Sequence, residues 1–310
     1  MDLKSKFIGG MIGSALGDCI GELAFRYSNR DQLLKEIQNL KIIRYTDDTA
    51  MALGIAESLI QTKGIIDTNV LGEIFHKNYN NEPYRGYGSG PPIIFRIREQ
   101  TNQSYIRIAS SLFGGEGSYG NGASMRITPL GLYYYDDPEI YQKAENSAIV
   151  THTNALGIEG AALLAKLISI ITPKTIDEFN LKNQKQNVLN ELISFAKTEK
   201  YSLKLEDVKK LLQEDAHYRG AEKIIGSNVL AFTSVPFSIF CFLKSPLSFS
   251  ECLLKTVLVS KDRDTVGAMV GGLLGAYHGI SSIPVNWIKK LENNDYIEKL
   301  AQKLYILKLK

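Results

Sequence analysis

Phe7-Ile8-Gly9-Gly10-Met11-Ile12-Gly13-Ser14-Ala15-Leu16-Gly17-Asp18-Cys19-Ile20-Gly21 places glycine at every fourth position, 9, 13, 17 and 21. Gly267, Gly271, Gly275 and Gly279 repeat the step near the other end of the chain. A step of four keeps residues on one narrow stripe of a helix. Each such glycine costs a helix about 1 kcal/mol relative to alanine, so two matching stripes need a reason. Two helices whose backbones touch would supply one. That packing is best known in membranes, but a buried central pair in a helical domain has the same geometry. The pattern predicts one helix near each end of the chain, packed together at the centre of one core, and so a single domain over 1–310.

Outward from these stripes the chain reads as helical. Asp47–Ile60 carries Met51, Ala52, Ile55, Ala56, Leu59 and Ile60 at helical spacing, behind two acids where a helix N-terminus favours them. Asn154–Ile171 is apolar over most of its surface and reads as a buried helix. Asn187–Ala196 and Glu206–Leu212 are amphipathic. Pro236 and Pro246 bracket a buried segment with Phe237, Ile239, Phe240 and Phe242. The polar stretch 174–200 reads as a surface insertion. Strand-like alternation is scarce, so the expected class is all-α, one domain of about ten or more helices.

Composition agrees with an ordinary globular chain. Of 310 residues, 44% are hydrophobic and 22% charged, which excludes disorder and collagen. The net charge of +3 is too small to imply a nucleic-acid partner by bulk electrostatics. Uncharged apolar runs fall short of the ~20 residues of a membrane helix, and no membrane is expected. Lys4, Lys6 and the apolar run behind them imitate a signal peptide, but Asp2 precedes the lysines and glycines interrupt the run. Cys19, Cys241 and Cys252 are an odd set without zinc-ligand spacing, which fits reduced thiols and a cytoplasmic protein. A monomer is expected.

Two acidic clusters stand at the mouths of helices, Tyr45-Thr46-Asp47-Asp48-Thr49 and Lys261-Asp262-Arg263-Asp264-Thr265. Together they form an all-oxygen donor set of the kind that suits Mg²⁺, Mn²⁺ or Ca²⁺. Two metals could share it, with waters completing each shell. Both clusters also read as plain helix N-caps. The glycine-rich loop Gly114–Arg126, with Ser118-Tyr119-Gly120-Asn121-Gly122 at its centre, can present backbone N–H groups to a phosphate or serve as a turn. Arg85-Gly86-Tyr87-Gly88-Ser89-Gly90 is a second glycine loop with an aromatic and a cation. Thr151-His152 precedes the buried helix, where a histidine can be structural or ligand-facing.

Taken in order, Gly17-Asp18, Thr46-Asp47-Asp48-Thr49, the Gly-Asn-Gly loop with Met125-Arg126, Thr151-His152 and Asp262-Arg263-Asp264-Thr265 resemble the ADP-ribosylglycohydrolase family. The match runs from about Phe7 to Gly279, and the two glycine loops are more like the serine-type and poly(ADP-ribose) branch than the arginine-type branch. The resemblance implies an all-α orthogonal bundle with two Mg²⁺ ions in a central cleft, Mn²⁺ being an alternative. It implies Thr46, Asp47, Asp48, Asp262, Asp264 and Thr265 as metal ligands. Ser118, Tyr119, Gly120, Asn121, Gly122, His152 and Tyr87 would bind substrate, and Asp47 or Asp264 would serve catalysis. Glu22, four residues after Asp18 and so on the same helix face, is the further catalytic candidate read from the chain itself. The implied substrate is an ADP-ribosylated protein or small ADP-ribose derivative, with nucleic acid only as an ADP-ribosylated acceptor.

The chain departs from the family pattern at three places. Phe25 holds a position where relatives often have a flap Glu, and the nearest acid is Glu22. Ser260-Lys261 replace two glycines, and Arg263 stands between the aspartates where a small residue is usual. The ligand set is intact and favours a hydrolase. The missing Glu leaves a second reading open, a weak or inactive ADP-ribose-binding protein, or an immunity protein docked on an ADP-ribosyltransferase.

Overall fold

The Leu3–Arg26 and Arg263–His278 helices run antiparallel with their glycine stripes face to face. A Cβ on Gly17 would stand 1.9 Å from the Gly267 carbonyl oxygen, one on Gly13 2.4 Å from that of Gly271, and one on Gly9 2.6 Å from that of Gly275. The helix cost of the glycines is therefore the condition for backbone-to-backbone contact. This is a computed structural model, and it describes residues 2–175 and 182–310.

The described residues form helices joined by turns and loops, with no strand; two isolated bridges join Ile43 to Leu291 and Gly120 to Leu230. One hydrophobic cluster runs through the whole domain and takes side chains from both ends of the chain, from Phe7 to Leu304. The N-terminal helix averages apolar enough, and at 24 residues is long enough, to cross a membrane by length and composition. This differs from the expectation drawn from its interrupted apolar runs. In the fold 89% of that apolar window is buried against other helices.

The acid-capped helix runs Asp47–Gln61 and the buried one Ala155–Ile171, with the Asn154 side chain capping Leu156 N–H at 3.0 Å. Pro236 does not bound a segment. It sits inside the helix Ala231–Lys244, where the burial of Phe237, Phe240 and Phe242 holds the element against the ~3 kcal/mol an interior proline costs. Of the polar stretch, 176–181 lies outside the described residues. The rest is not a detached insertion: the helix Lys182–Phe195 buries Val188, Leu189 and Leu192 in the core.

Candidate active site

Thr46 caps the helix Asp47–Gln61, its hydroxyl oxygen accepting from Asp48 N–H at 3.4 Å. A second cap comes from the N-terminal helix. The Asp18 carboxylate accepts from Thr46 N–H at 3.0 Å, Thr49 N–H at 3.1 Å, the Thr49 hydroxyl at 2.6 Å and the Thr46 hydroxyl at 2.8 Å. Asp18 is fully buried. Asp47 N–H donates to the Arg85 carbonyl at 2.8 Å, which ties the second glycine loop to this turn.

The other acidic turn is anchored by a segment that the sequence reading did not single out. Ser227 accepts from Asp262 N–H with its carbonyl and from Lys261 N–H with its hydroxyl, both at 2.9 Å. Val229 and Ala231 bond to the backbone of Asn121 and Tyr119. Residues 227–231 thus latch the glycine-rich loop to the second acidic turn. The Asn121 side-chain amide also donates to Asp262 Oδ2 at 2.6 Å. The last glycine of the first stripe completes the approach, since a Cβ on Gly21 would meet the Arg263 carbonyl at 2.2 Å and Asp264 Cα at 2.5 Å.

These turns line one cavity of about 430 Å³. Asp47, Asp48, Asp262, Asp264 and Thr265 form part of its wall, and Ser118–Gly122, Arg126 and His152 another part. Burial and mutual repulsion push Asp47 and Asp262 up to about 7, and Asp48 well above the ordinary carboxylate range. Asp18 also reaches about 7, burial outweighing its donors. Among the described residues none of Asp18, Asp47, Asp48, Asp262 and Asp264 forms an ion pair with Lys, Arg or His. Asp48 Oδ1 is buried without a hydrogen-bond partner. Unpaired buried carboxylates are costly unless a cation or proton neutralises them, so the donor chemistry fits a hard divalent ion. The same residues do not form a closed cage: no three Asp, Glu, His or Cys side chains among those described converge as a preformed ligand group. A metal here would keep much of its water shell, as Mg²⁺ does.

The glycine-rich loop leaves the N–H groups of Ser118, Tyr119 and Gly122 without a protein acceptor among the described residues, while Gly120 N–H is held by the Ser118 hydroxyl at 3.2 Å. Phe113 and Tyr119, both exposed aromatics, also border the cavity. Such a surface can take an anion on backbone donors beside a stacked ring.

Three predicted residues are not in the cavity wall. The Thr46 hydroxyl faces Asp18 and Asp48, 3.0 Å from Asp48 Oδ2. Tyr87 is half-buried edge-on against Tyr79, while its neighbours Gly86 and Gly88 line the cavity. Glu22 is half-buried on the N-terminal helix, its carboxyl raised by burial and by Asp264 and lowered by Arg26. Arg85 is not a cation for ligand either. It is buried in a clamp of Glu82 at 2.9 Å, Glu292 at 2.6 Å and the Tyr45 carbonyl at 3.0 Å. The supporting role of Asp18 was missed, although a carboxylate inside an apolar glycine stripe was a signal for it.

A buried acidic cavity beside a glycine-rich loop with open backbone N–H groups, in an all-helical fold built on paired glycine stripes, defines a helical protein with one acidic ligand cavity. The chain belongs to the ADP-ribosylglycohydrolase family, whose model matches residues 1–310. It is 30% identical to the ADP-ribosylhydrolase ARH3 of Bos taurus over 97% of this chain and 92% of that protein. Its identity to the ADP-ribosylhydrolase ARH3 of Xenopus tropicalis is 31%, over 98% and 95%. The ADP-ribosylarginine hydrolase Tri1 of Pseudomonas putida is more distant, at 22% identity over 96% of this chain and 77% of that protein. Within the family the chain therefore lies on the ARH3 side. A solved structure titled "ADP-ribosylglycohydrolase-related protein complex" shares the fold, with TM-score 0.67, 22% identity and 99% of both chains covered.

Proposed function

We propose that this chain hydrolyses the bond between the anomeric carbon of ADP-ribose and an acceptor, with Mg²⁺ held at the two acidic turns. The observation that carries this reading is the single cavity that joins Asp47, Asp48, Asp262 and Asp264 to the Ser118–Gly122 loop. Its volume of about 430 Å³ falls in the usual range for small-molecule and cofactor sites.

Asp47, Asp48, Asp262, Asp264 and the Thr265 hydroxyl would hold the metal, and the Thr46 hydroxyl could add an oxygen lone pair while its proton stays on Asp18 or Asp48. Bound Mg²⁺ supplies Lewis-acid polarisation at the ribose and offsets the carboxylate charge. The N–H groups of Ser118, Tyr119 and Gly122 take the pyrophosphate. Water adds to the anomeric carbon through an oxocarbenium-like transition state, and the acceptor leaves with a proton. Asp47 or Asp264 accepts the proton of the attacking water, and Glu22, kept protonated to higher pH by burial and by Asp264, is the candidate to protonate the acceptor. The three buried thiols support a cytoplasmic setting.

The test is release of free ADP-ribose from serine- and arginine-linked peptides, after exhaustive chelation and after Mg²⁺ is restored. Metal-dependent release, from the serine-linked peptide first, is expected. Tight ADP-ribose binding without release from any acceptor would instead favour the binding-protein reading. Full activity without metal would remove Mg²⁺ from it.

A further inference from the structure

Behind the cavity wall runs a buried chain of three side chains, of which Arg126 and His152 reach the cavity, and its donors and acceptors count to one arrangement. Arg126 is fully buried, its Nη2 donating to the Thr151 hydroxyl at 2.8 Å and to the Ser147 carbonyl at 3.2 Å. The Thr151 oxygen lies 2.7 Å from His152 Nδ1. Thr151 is 1% exposed, and among the described residues its hydroxyl has no third partner. Arg126 has only donors, and a threonine hydroxyl has one proton to give. That proton either goes to His152 Nδ1 or is left unpaired in the interior, at a cost of about 1–3 kcal/mol. The guanidinium charge acts in the same direction. It turns the hydroxyl dipole away from itself, toward the ring nitrogen, and opposes a second N–H aimed at the same oxygen.

We infer that the Arg126–Thr151 pair fixes His152 as a neutral imidazole protonated on Nε2, so that it meets the ligand as a hydrogen-bond donor and not as a base. Arg126 and Thr151 are then positioning residues that act through His152. Burial and the Arg126 charge also hold the ring down to about 3, so it stays neutral at working pH. Burial pulls the guanidinium down to about 9, which leaves it charged there. The Nε2 edge faces the glycine-rich loop, where a Cβ on Gly122 would lie 3.0 Å from it and one on Gly120 3.7 Å. Glycine at these two positions leaves that N–H open to the cavity. Its partner is an oxygen acceptor, a phosphate or ribose oxygen. A ligand group that must donate to a nitrogen there is rejected. This rests on the proposed site for ADP-ribose only in the identity of the ligand.

The tautomer is read directly from long-range ¹H–¹⁵N correlations of the imidazole rings in the ligand-free protein, with His152→Gln assigning one of the four histidines. A protonated Nε2 and bare Nδ1 at neutral pH are expected, and an Nδ1–H ring or an imidazolium overturns the inference. Thr151→Val should release the ring to a mixture of tautomers and weaken free ADP-ribose roughly tenfold, the scale of one lost hydrogen bond. Thr151→Ser should retain both properties, and decides the matter if the valine variant fails to fold. A valine variant with the same tautomer and affinity also overturns it. An Nε2–H ring in a protein that does not bind ADP-ribose would count against the proposed function and leave this assignment supported.

Discussion

Thr49 donates twice to Asp18, from its hydroxyl at 2.6 Å and its backbone N–H at 3.1 Å. The helix that presents the first acidic turn is thus capped by a carboxylate from the N-terminal helix. Every partner of Asp18 is a donor, which favours the carboxylate against the burial that raises it to about 7, and an amide would set donors against donors. Asp18→Asn should turn an N–H₂ toward those donors, cost about 1.5–3 kcal/mol of stability and disorder the turn. Thr49→Val should cost about 1–3 kcal/mol, because the Asp18 oxygen is left short of a partner. Denaturant unfolding measures both. Asn at full stability would mean that Asp18 is protonated in the fold.

Gly17→Ala places a methyl 1.9 Å from the Gly267 carbonyl oxygen, and neither backbone can yield without parting the stripes. The expected loss is about 1–3 kcal/mol or more, seen as a melting point lower by several degrees. Gly220→Ala is the control. It lies within the helix Tyr218–Ile225 with nothing within 4 Å of its Cβ position, and should gain up to about 1 kcal/mol. Equal melting points for the two variants would refute the close-contact account.

Metal removal should be felt as a pH-dependent loss of stability. Asp18, Asp47 and Asp262 are raised in the fold from an ordinary 3.8 to about 7. A raised group contributes stability that is complete below its unfolded value and is lost as pH rises through the folded one. The chelated protein should therefore lose stability between about pH 4 and 7, by at most about 1.4 kcal/mol per pH unit for each group. Mg²⁺ held as proposed would compete with those protons, so its stabilising shift should be larger at pH 8 than at pH 5. Calorimetry with and without Mg²⁺ at the two values checks this. His152, lowered to about 3, has the opposite sign, destabilising as pH falls below about 6.5. It acts equally with and without metal and cancels from the difference. An equal Mg²⁺ shift at both values would sink the competition.

Asp47→Ala and Asp264→Ala should each abolish turnover while the protein still folds, because both border the cavity and neither is among the core's hydrophobic contacts. Asp47→Ala also removes a buried, repelled carboxylate, so the metal-free variant should be no less stable than the parent. Normal single-turnover rates in both variants would reduce the clusters to helix caps.

How much was legible depended on sequence distance. The glycine stripes and both acidic turns are local patterns, and they could be read directly. The partnership of Asp18 with Thr46 and Thr49 crosses from one helix to another, and nothing in either segment names the other. The same holds for Arg85, whose loop suggested an available cation; one of its clamping acids, Glu292, lies 207 residues away. Pro236 misled because a local breaker rule was applied where tertiary burial decides. The latch at 227–231 works mostly through backbone groups, which carry no residue-type signal, with the Ser227 hydroxyl adding one side-chain contact.

Glu22→Gln tests the position where the chain departs most from its relatives. Glu22 follows Asp18 by four on one continuous helix, so the two share a face. Its carboxyl is raised by burial and then by Asp264, which places it within electrostatic reach of the second acidic turn, although it does not line the cavity itself. The helix end that carries it is fixed by Arg263, which donates to the Ala24 carbonyl and stands 6.0 Å from the Phe25 ring centre. Two departures from the family pattern, Phe25 and Arg263, thus meet in space and hold this last turn. A rigid, half-buried acid held protonated to higher pH can donate to a departing acceptor oxygen. The glutamine variant should slow turnover about 10²-fold and lose the alkaline limb of the rate profile, while ADP-ribose affinity stays unchanged. If instead single-turnover hydrolysis at saturating Mg²⁺ runs at the parent rate across that pH range, Glu22 only offsets the Arg26 charge, and the proton for the leaving group comes from elsewhere.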